Sequence, residues 1–576
     1  MQRKFEIVLA DVLARHHLAP MLTAPPFART TIGALFVAML AGCAAVSTGS
    51  VTAIPYDVVI RHARIIDGTG NPWYLGDVAI ADGRIVRVGG VPTDAPARRT
   101  IEGRGLVVAP GFIDMLGHSE FSLLERPAAI SKITQGITSE ITGEVESAWP
   151  NTEPTARQTR TAAQPWSSLA GYLAHLERQG TAINLGTYIA AGSVRRAVMG
   201  EASRHPTTAE LARMETLVDS GMRDGAMGFS TGLIYPPSTF FSTDELTVLA
   251  RRAALRGGGY ASHIRSEGAG LLDAIREAVR IGKDAGTWVE IRHLKASGVA
   301  NWGRMRDAVA LIDSARRAGV DVTADVYPYT ASGTGLSSIL PAWVQAGGTD
   351  SMVARLRDPA IRARLRGDAG ETGARRPGDV LLNSVRADSL KRYEGIRLDS
   401  IGRLRGQDPY DAAYDILVGD RGASSAIYFT MSEDDLRLAL RQPWTSIGQD
   451  AGAVTPDSGT SGRGHPRAFG SFPRLLGRYV REDGLLTLEE AVRKMTSLAA
   501  QRVGLVDRGR LAPGMHADVV LFDPATVIDR ATFERPQLLS TGIRYVFVNG
   551  IAVIAEGTPT GALPGRALRG PGAVMQ

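Results

Sequence analysis

Between about residues 110 and 500 the hydrophobic pattern repeats one unit. Segments with apolar positions three and four residues apart, such as "STDELTVLARRAALRGG", lead into short apolar runs such as "GYASHIRSE". "GLLDAIREAVRIGKDAG" leads in the same way to "TWVEIRHLKASG", and "RMRDAVALIDSARRAG" to "VDVTADVYPYTASG". The helical period predicts amphipathic helices, and the short runs predict buried strands. Regular alternation of the two implies a parallel sheet. Each run ends in polar residues, and a (β/α)8 barrel places its chemistry at such strand ends. The expected fold class is therefore α/β, a TIM-like barrel over residues 110–504. Residues 345–420 break the rhythm with an Arg/Asp/Gly-rich composition and predict an inserted lobe over the barrel mouth.

The chain ends have a different texture. "YDVVIRHARIIDGTGNPWYLGDVAIADGRIVRVG" alternates β-branched and polar residues between Gly, Asp, Asn and Pro turns, and so predicts antiparallel strands. The pattern returns in "GMHADVVLFDP" and "IRYVFVNGIAVIAEG". Residues 55–109 and 505–560 are expected to build one small β-sandwich from both ends of the chain. Residues 44–54 are small and polar and read as a tether.

Composition narrows the picture. A 576-residue chain with 44% hydrophobic and 22% charged residues can bury a large core. The net charge of +6 is carried almost wholly by Arg spread along the chain, with no dense basic run, so no nucleic-acid partner is expected. Cys43 is the only cysteine, which excludes an intrachain disulfide. It closes the apolar run "TTIGALFVAML", which is too short to span a bilayer and has the length and flanks of a secretion signal. The tetrapeptide "LAGC" at 40–43 resembles the lipobox of bacterial lipoproteins. That resemblance implies a signal over residues 1–43, lipidation of Cys43, and membrane contact through the lipid alone. Ala44 rather than Asp follows the cysteine, which points to the outer membrane and a periplasm-facing domain. A start at Met21 would give the signal a more usual length.

The strand-end residues carry the candidate chemistry: Asp114, His118, Glu144, Glu146, His263, His293, Lys295 and Asp450. Two neighbouring units each end in a histidine, in "SHIRSE" and "IRHLK". Imidazoles with one anionic ligand suit zinc, which leaves a position for water and makes that water acidic near neutral pH. Asp450, in "SIGQD", is a candidate to take the water's proton and pass it to a leaving amine. His62 and His516 on sandwich strands and His175 on a helix are expected to have no chemical role.

From about residue 55 onward the chain resembles the amidohydrolase superfamily, and within it the D-aminoacylase (N-acyl-D-amino-acid deacylase) branch. The resemblance rests on "RIIDGTGNPWY", "VVAPGFID", "GFSTGLIYPP", "SHIRSEG", "HLKASGVANWGR", "TADVYPYTAS", "PWTSIGQD", "GHPRAFGSFPR" and "LAPGMHADVVLFDP". It implies a metal-bearing barrel with a β-sandwich, His263 and His293 as ligands of a tightly held zinc, and Asp450 as catalytic acid/base. It further implies that Lys295, Tyr235, Tyr327 and Arg467 grip the substrate carboxylate and polarise the scissile amide. A guanidinium suits bidentate carboxylate recognition, and a phenol or ammonium stabilises an oxyanion.

Two departures matter. The family's first strand ends His-x-His, whereas "IDMLGHSE" has Leu116 at the first of those positions. The family's cysteine ligand after the second strand aligns with Val145 in "ITGEVES". Neither side chain binds zinc, so one zinc per chain is expected, with the second, weaker position lost. Glu144 is the expected replacement anion and Glu146 the next choice, and His118 and Glu146 are expected to line the site. The function this implies is zinc-dependent hydrolysis of a linear, non-peptide amide in N-acyl amino acids of D configuration. Two alternatives stay open: a cyclic or other carboxyl-bearing amide as substrate on the same barrel, and a catalytically impaired ligand-binding lipoprotein. The losses at 116 and 145 favour the latter, and retention of His263, His293, Lys295 and Asp450 disfavours it.

Overall fold

Eight short parallel strands form the centre of the molecule: β1 (Phe112–Asp114), β2 (Ile137–Thr142), β3 (Asn184–Thr187, continued by Ile189–Ala190), β4 (Gly228–Gly232), β5 (Gly259–His263), β6 (Val289–Ile291), β7 (Val322–Val326) and β8 (Thr445–Ile447). The computed structural model describes residues 56–150, 166–367, 376–456 and 464–574; Cys43, the signal and the tether lie outside them. Each strand pairs in parallel with the next from β1 to β8. Backbone bonds also join the last strand to the first: Met115 N donates to Ile447 O (3.1 Å), and Asp450 N donates to Leu116 O (2.7 Å). All positions of β4, β5 and β7 are buried, as befits strands covered on both faces.

The helical period holds where it is strongest. Helix Thr243–Ala254 starts at a capping box, in which Ser242 and Glu245 satisfy each other's backbone N–H, and buries Leu246, Leu249 and Ala253. Helix Leu271–Ala285 buries Ala274, Ile275, Ala278 and Ile281 and stops at Gly286, which takes the left-handed conformation.

"VVAPGFID" links the two layers. Val107–Pro110 pairs antiparallel with Val519–Phe522, joining the two ends of the chain in one sheet, and then runs through Gly111 into β1. That sheet orders its strands as Thr558–Pro559, Ile551–Ala555, Ile543–Val548, Val519–Phe522, Val107–Pro110, Tyr56–Ile65, Tyr74–Ala81 and Arg84–Gly89, with Ala97–Glu102 also beside Tyr56–Ile65.

The lobe has its own antiparallel sheet, Ser332–Gly335, Ser425–Tyr428 and Val380–Ser384, and its own core running from Leu336 to Tyr428. It is therefore wider than the expected 345–420. The first of its strands reads "SGTG" and is only half-buried, so it has no apolar alternation to announce it.

A buried ion cluster fixes the ends of β1 and β2. Lys132 Nζ donates to Asp114 Oδ2 (2.8 Å) and Ala451 O (2.7 Å) and lies 3.2 Å from Glu140 Oε1. A Cβ at position 117 would stand 1.6 Å from Glu140 Oε1, which is why glycine separates Leu116 from His118.

Candidate active site

Beyond β2 the chain turns at Gly143, whose positive φ and close approach to Tyr188 O exclude a side chain. The turn leads into Glu144, which is buried. His263 closes β5, and His293 follows β6 after Arg292. Both His293 (φ 35°) and Asp450 (φ 53°) hold left-handed backbone, uncommon outside glycine and frequent where a site is pre-organised.

Three donor atoms meet there. His293 Nε2 lies 2.7 Å from His263 Nδ1 and 3.0 Å from Glu144 Oε1, and His263 Nδ1 lies 3.4 Å from Glu144 Oε1. Tetrahedral zinc ligands at ~2.0–2.1 Å stand about 3.3 Å apart, close to these edges. Glu144 Oε1 is buried and has no hydrogen bond of its own. Burial pushes the Glu144 carboxyl up, but His293 and His263 together hold it well below the usual range, so it is an anion. One anion and two imidazoles converging on one point fit zinc, and they are the three residues expected from the sequence.

Glu267, which the sequence reading missed, supports this triangle. Its Oε1 lies 3.0 Å from His293 Nδ1 and accepts a hydrogen bond from Lys295 Nζ at 2.5 Å. His293 N donates to Asp325 Oδ1 (2.8 Å). Lys295 Nζ lies 2.8 Å from the same Nδ1, so Glu267 and Lys295 together hold the His293 ring with Nε2 toward Glu144 and His263. The available signal was its place in "SHIRSEG", four residues beyond His263.

The other oxygen of Glu144 faces a second donor set. His118 Nε2 lies 3.6 Å from Glu144 Oε2 and 3.0 Å from Asp450 Oδ1, and one donor atom from each residue falls within a 4.8 Å span. The expectation of a single metal position rested on Leu116 and Val145. Both lack donors here: Leu116 is buried against Gly448, and Val145 packs over Gly232. Glu144 nevertheless offers an oxygen to each set, so the structure leaves a second donor group with only one imidazole.

Glu146, the second choice after Glu144, is in neither set, although it lines the same cavity. It accepts from Arg196 Nη1 (2.9 Å), whose Nε pairs with Glu201 (2.6 Å). Two residues beyond Glu144, the loop already faces the helix Ala191–Met199 that carries Arg196.

The donors open into a cavity of about 670 Å³ lined also by Lys295, Tyr235, Tyr327 and Arg467. Asp450 Oδ2 pairs with Arg467 Nη1 at 2.7 Å. Burial pushes Asp450 up, but Arg467 and His118 bring it down to about 2. Arg467 Nη2 donates to Gly333 O (3.1 Å), and its Nε has no partner. The Tyr327 ring centroid lies 4.8 Å from the Arg467 guanidinium carbon and 5.6 Å from Lys295 Nζ. Tyr235 and Thr334 share a hydroxyl bond of 2.8 Å, so the lobe strand forms one wall. His62, His175 and His516 lie elsewhere, beside Glu102, Trp166 and Asp507.

A profile described as "Amidohydrolase family" matches residues 99–554. The chain belongs to the amidohydrolase family. This amidohydrolase is 37% identical over 518 residues to an N-acyl-D-glutamate deacylase of Alcaligenes xylosoxydans xylosoxydans, covering 89% of this chain and 96% of the relative. It is 35% identical over 523 residues to a D-aminoacylase of the same organism, covering 89% and 98%. The crystal structure of N-acyl-D-glutamate deacylase from Bordetella bronchiseptica, complexed with zinc and a phosphonate inhibitor that mimics the reaction's tetrahedral intermediate, matches with a TM-score of 0.76. Its identity is 36%, over 89% of this chain and all of that one. A D-aminoacylase structure, reported for a binuclear centre with one-metal activation and second-metal attenuation, also matches at 0.76 and 35%, over 89% of this chain and 100% of that one.

Proposed function

We propose that this amidohydrolase uses zinc to hydrolyse the amide of N-acyl amino acids, with D configuration at the amino acid. The observation that carries the proposal is the Glu144–His263–His293 triangle opening onto Asp450, Arg467 and Lys295 in one cavity. The activities named for the relatives support the substrate class.

Zinc held by Glu144, His263 and His293 supplies Lewis acidity toward water and an amide carbonyl at neutral pH. The protein's own groups do the rest. The ionised Asp450 accepts a proton from the attacking water and returns it to the amide nitrogen as the C–N bond breaks, leaving a carboxylate and an amine. Arg467 lines the cavity and is the guanidinium available to the substrate carboxylate. Lys295 and the tyrosine hydroxyls are the donors available to the developing oxyanion. Purified, zinc-loaded protein is expected to hydrolyse N-acetyl-D-amino acids faster than their L enantiomers. Equal rates for both, or no hydrolysis of either, would refute the assignment.

The same proposal places the enzyme on the outer membrane, facing the periplasm, with Cys43 lipidated; the support is the "LAGC" segment. A palmitate analogue fed to cells is expected to label the wild type and not Cys43→Ser. Equal labelling of the two would contradict the anchor.

A further inference from the structure

The active-site cavity is lined by five carboxylates and by two side-chain cations, Lys295 and Arg467. Four of the five have partners already described: Glu144 the two histidines, Glu146 Arg196, Glu267 Lys295, and Asp450 Arg467. The fifth is Glu120, in "GHSEF". It is only 5% exposed, and its Oε2 is buried with no hydrogen-bond partner. Among the described residues no Lys, Arg or His lies within ion-pair distance of it; its neighbour His118 is turned to Asp450. The backbone around it is held in place, since Tyr172 donates to Glu120 O (2.7 Å).

Burial pushes the Glu120 carboxyl up to about 7, and a cation brought to its unpartnered Oε2 would hold it ionised. The lining charge points the same way. Glu146 is matched by Arg196, Glu267 by Lys295 and Asp450 by Arg467, and Glu144 belongs to the histidine triangle, so Glu120 is the lining carboxylate left without a cation within ion-pair distance among the described residues.

We propose that Glu120 is a specificity residue that receives a positively charged group, an ammonium or guanidinium, carried by the substrate in addition to its carboxylate. This rests on the deacylase reading above and narrows its substrate class. The cation can sit on the amino-acid side chain or on the acyl group. In the first case the substrate is an N-acylated basic D-amino acid; in the second it is an aminoacyl-D-amino acid. Glu120 accepts hydrogen bonds from that group and takes no part in bond breaking, so its loss acts on the choice between substrates.

The test compares kcat/KM of the full-length, zinc-loaded enzyme for N-acetyl-D-lysine, glycyl-D-norleucine, and neutral N-acetyl-D-norleucine. The wild type is expected to favour one of the two cationic compounds over the neutral one by at least about tenfold, because a site built for a polar group rejects the analogue lacking it. Which compound is favoured locates the cation. In Glu120→Gln that ratio is expected to collapse toward one, mainly through KM, and Glu120→Asp is expected to restore part of it. A wild type that cleaves the neutral compound as well as both cationic ones overturns this inference and leaves the deacylase reading standing. So does a Glu120→Gln variant that keeps the wild-type ratio. A wild type that cleaves none of the three, nor any other N-acyl-D-amino acid, overturns both.

Discussion

Glu144→Ala is expected to lose the tightly held zinc, falling from about one ion per chain to near none, and to lose kcat/KM by about 10³-fold or more. Removing an outer partner of a metal ligand typically costs ~10–100-fold, and Glu144 is the anion of the donor triangle itself, so its effect should exceed that range. Two neutral imidazoles alone leave a divalent cation without a charged protein ligand, since neither Leu116 nor Val145 can replace it. Elemental analysis after dialysis against a weak chelator gives the zinc content, and activity on an N-acetyl-D-amino acid gives the rate. Glu146→Ala is the control, because Glu146 is committed to Arg196 at 2.9 Å and its loss should leave the zinc content unchanged. Zinc retained in Glu144→Ala and lost in Glu146→Ala would reverse the assignment of the two carboxylates.

Asp450→Asn is expected to keep its zinc and its fold and to lose kcat by about 10²–10⁴-fold, the usual worth of a positioned acid/base. Asparagine matches the carboxylate in size and is among the residues that tolerate left-handed backbone, so the φ of 53° at this position need not change. What it removes is the charge. Asp450 is held ionised by Arg467 at 2.7 Å and His118 at 3.0 Å, and a neutral amide cannot take a proton from water. Single-turnover rates separate this from a binding defect, because losing proton transfer lowers kcat with little change in KM. A kcat within about threefold of wild type would end the role given to Asp450.

The parts of this molecule that follow from local pattern were legible in the sequence. The repeated helix-then-strand unit gave the barrel because each helix buries one face against a strand that follows it closely. Alternating strands at both ends gave the second sheet, although the pairing of Val107–Pro110 with Val519–Phe522 spans some 400 residues. Glu144 was legible because a carboxylate stood one residue from a missing cysteine. Glu146 ranked second to Glu144 in the sequence, and the contact that occupies it, Arg196 on a helix beyond the next strand, is visible only in the fold. Glu267 was missed for a related reason. It lies in the loop after β5 and acts on His293 after β6, a contact made only when the two strands pair side by side. Thr334 and Gly333 escaped notice because "SGTG" carries no hydrophobic signal, yet this strand brings the lobe to the wall of the cavity. Residues that act through neighbours in space were invisible, and residues that end a buried strand were not.

Zinc-edge anomalous diffraction from crystals of the full-length protein grown with zinc tests the central claim most directly. The expected result is a strong anomalous peak about 2.0–2.2 Å from Glu144, His263 Nδ1 and His293 Nε2 together. Zinc bound elsewhere in the crystal, with no peak inside that triangle, would contradict it.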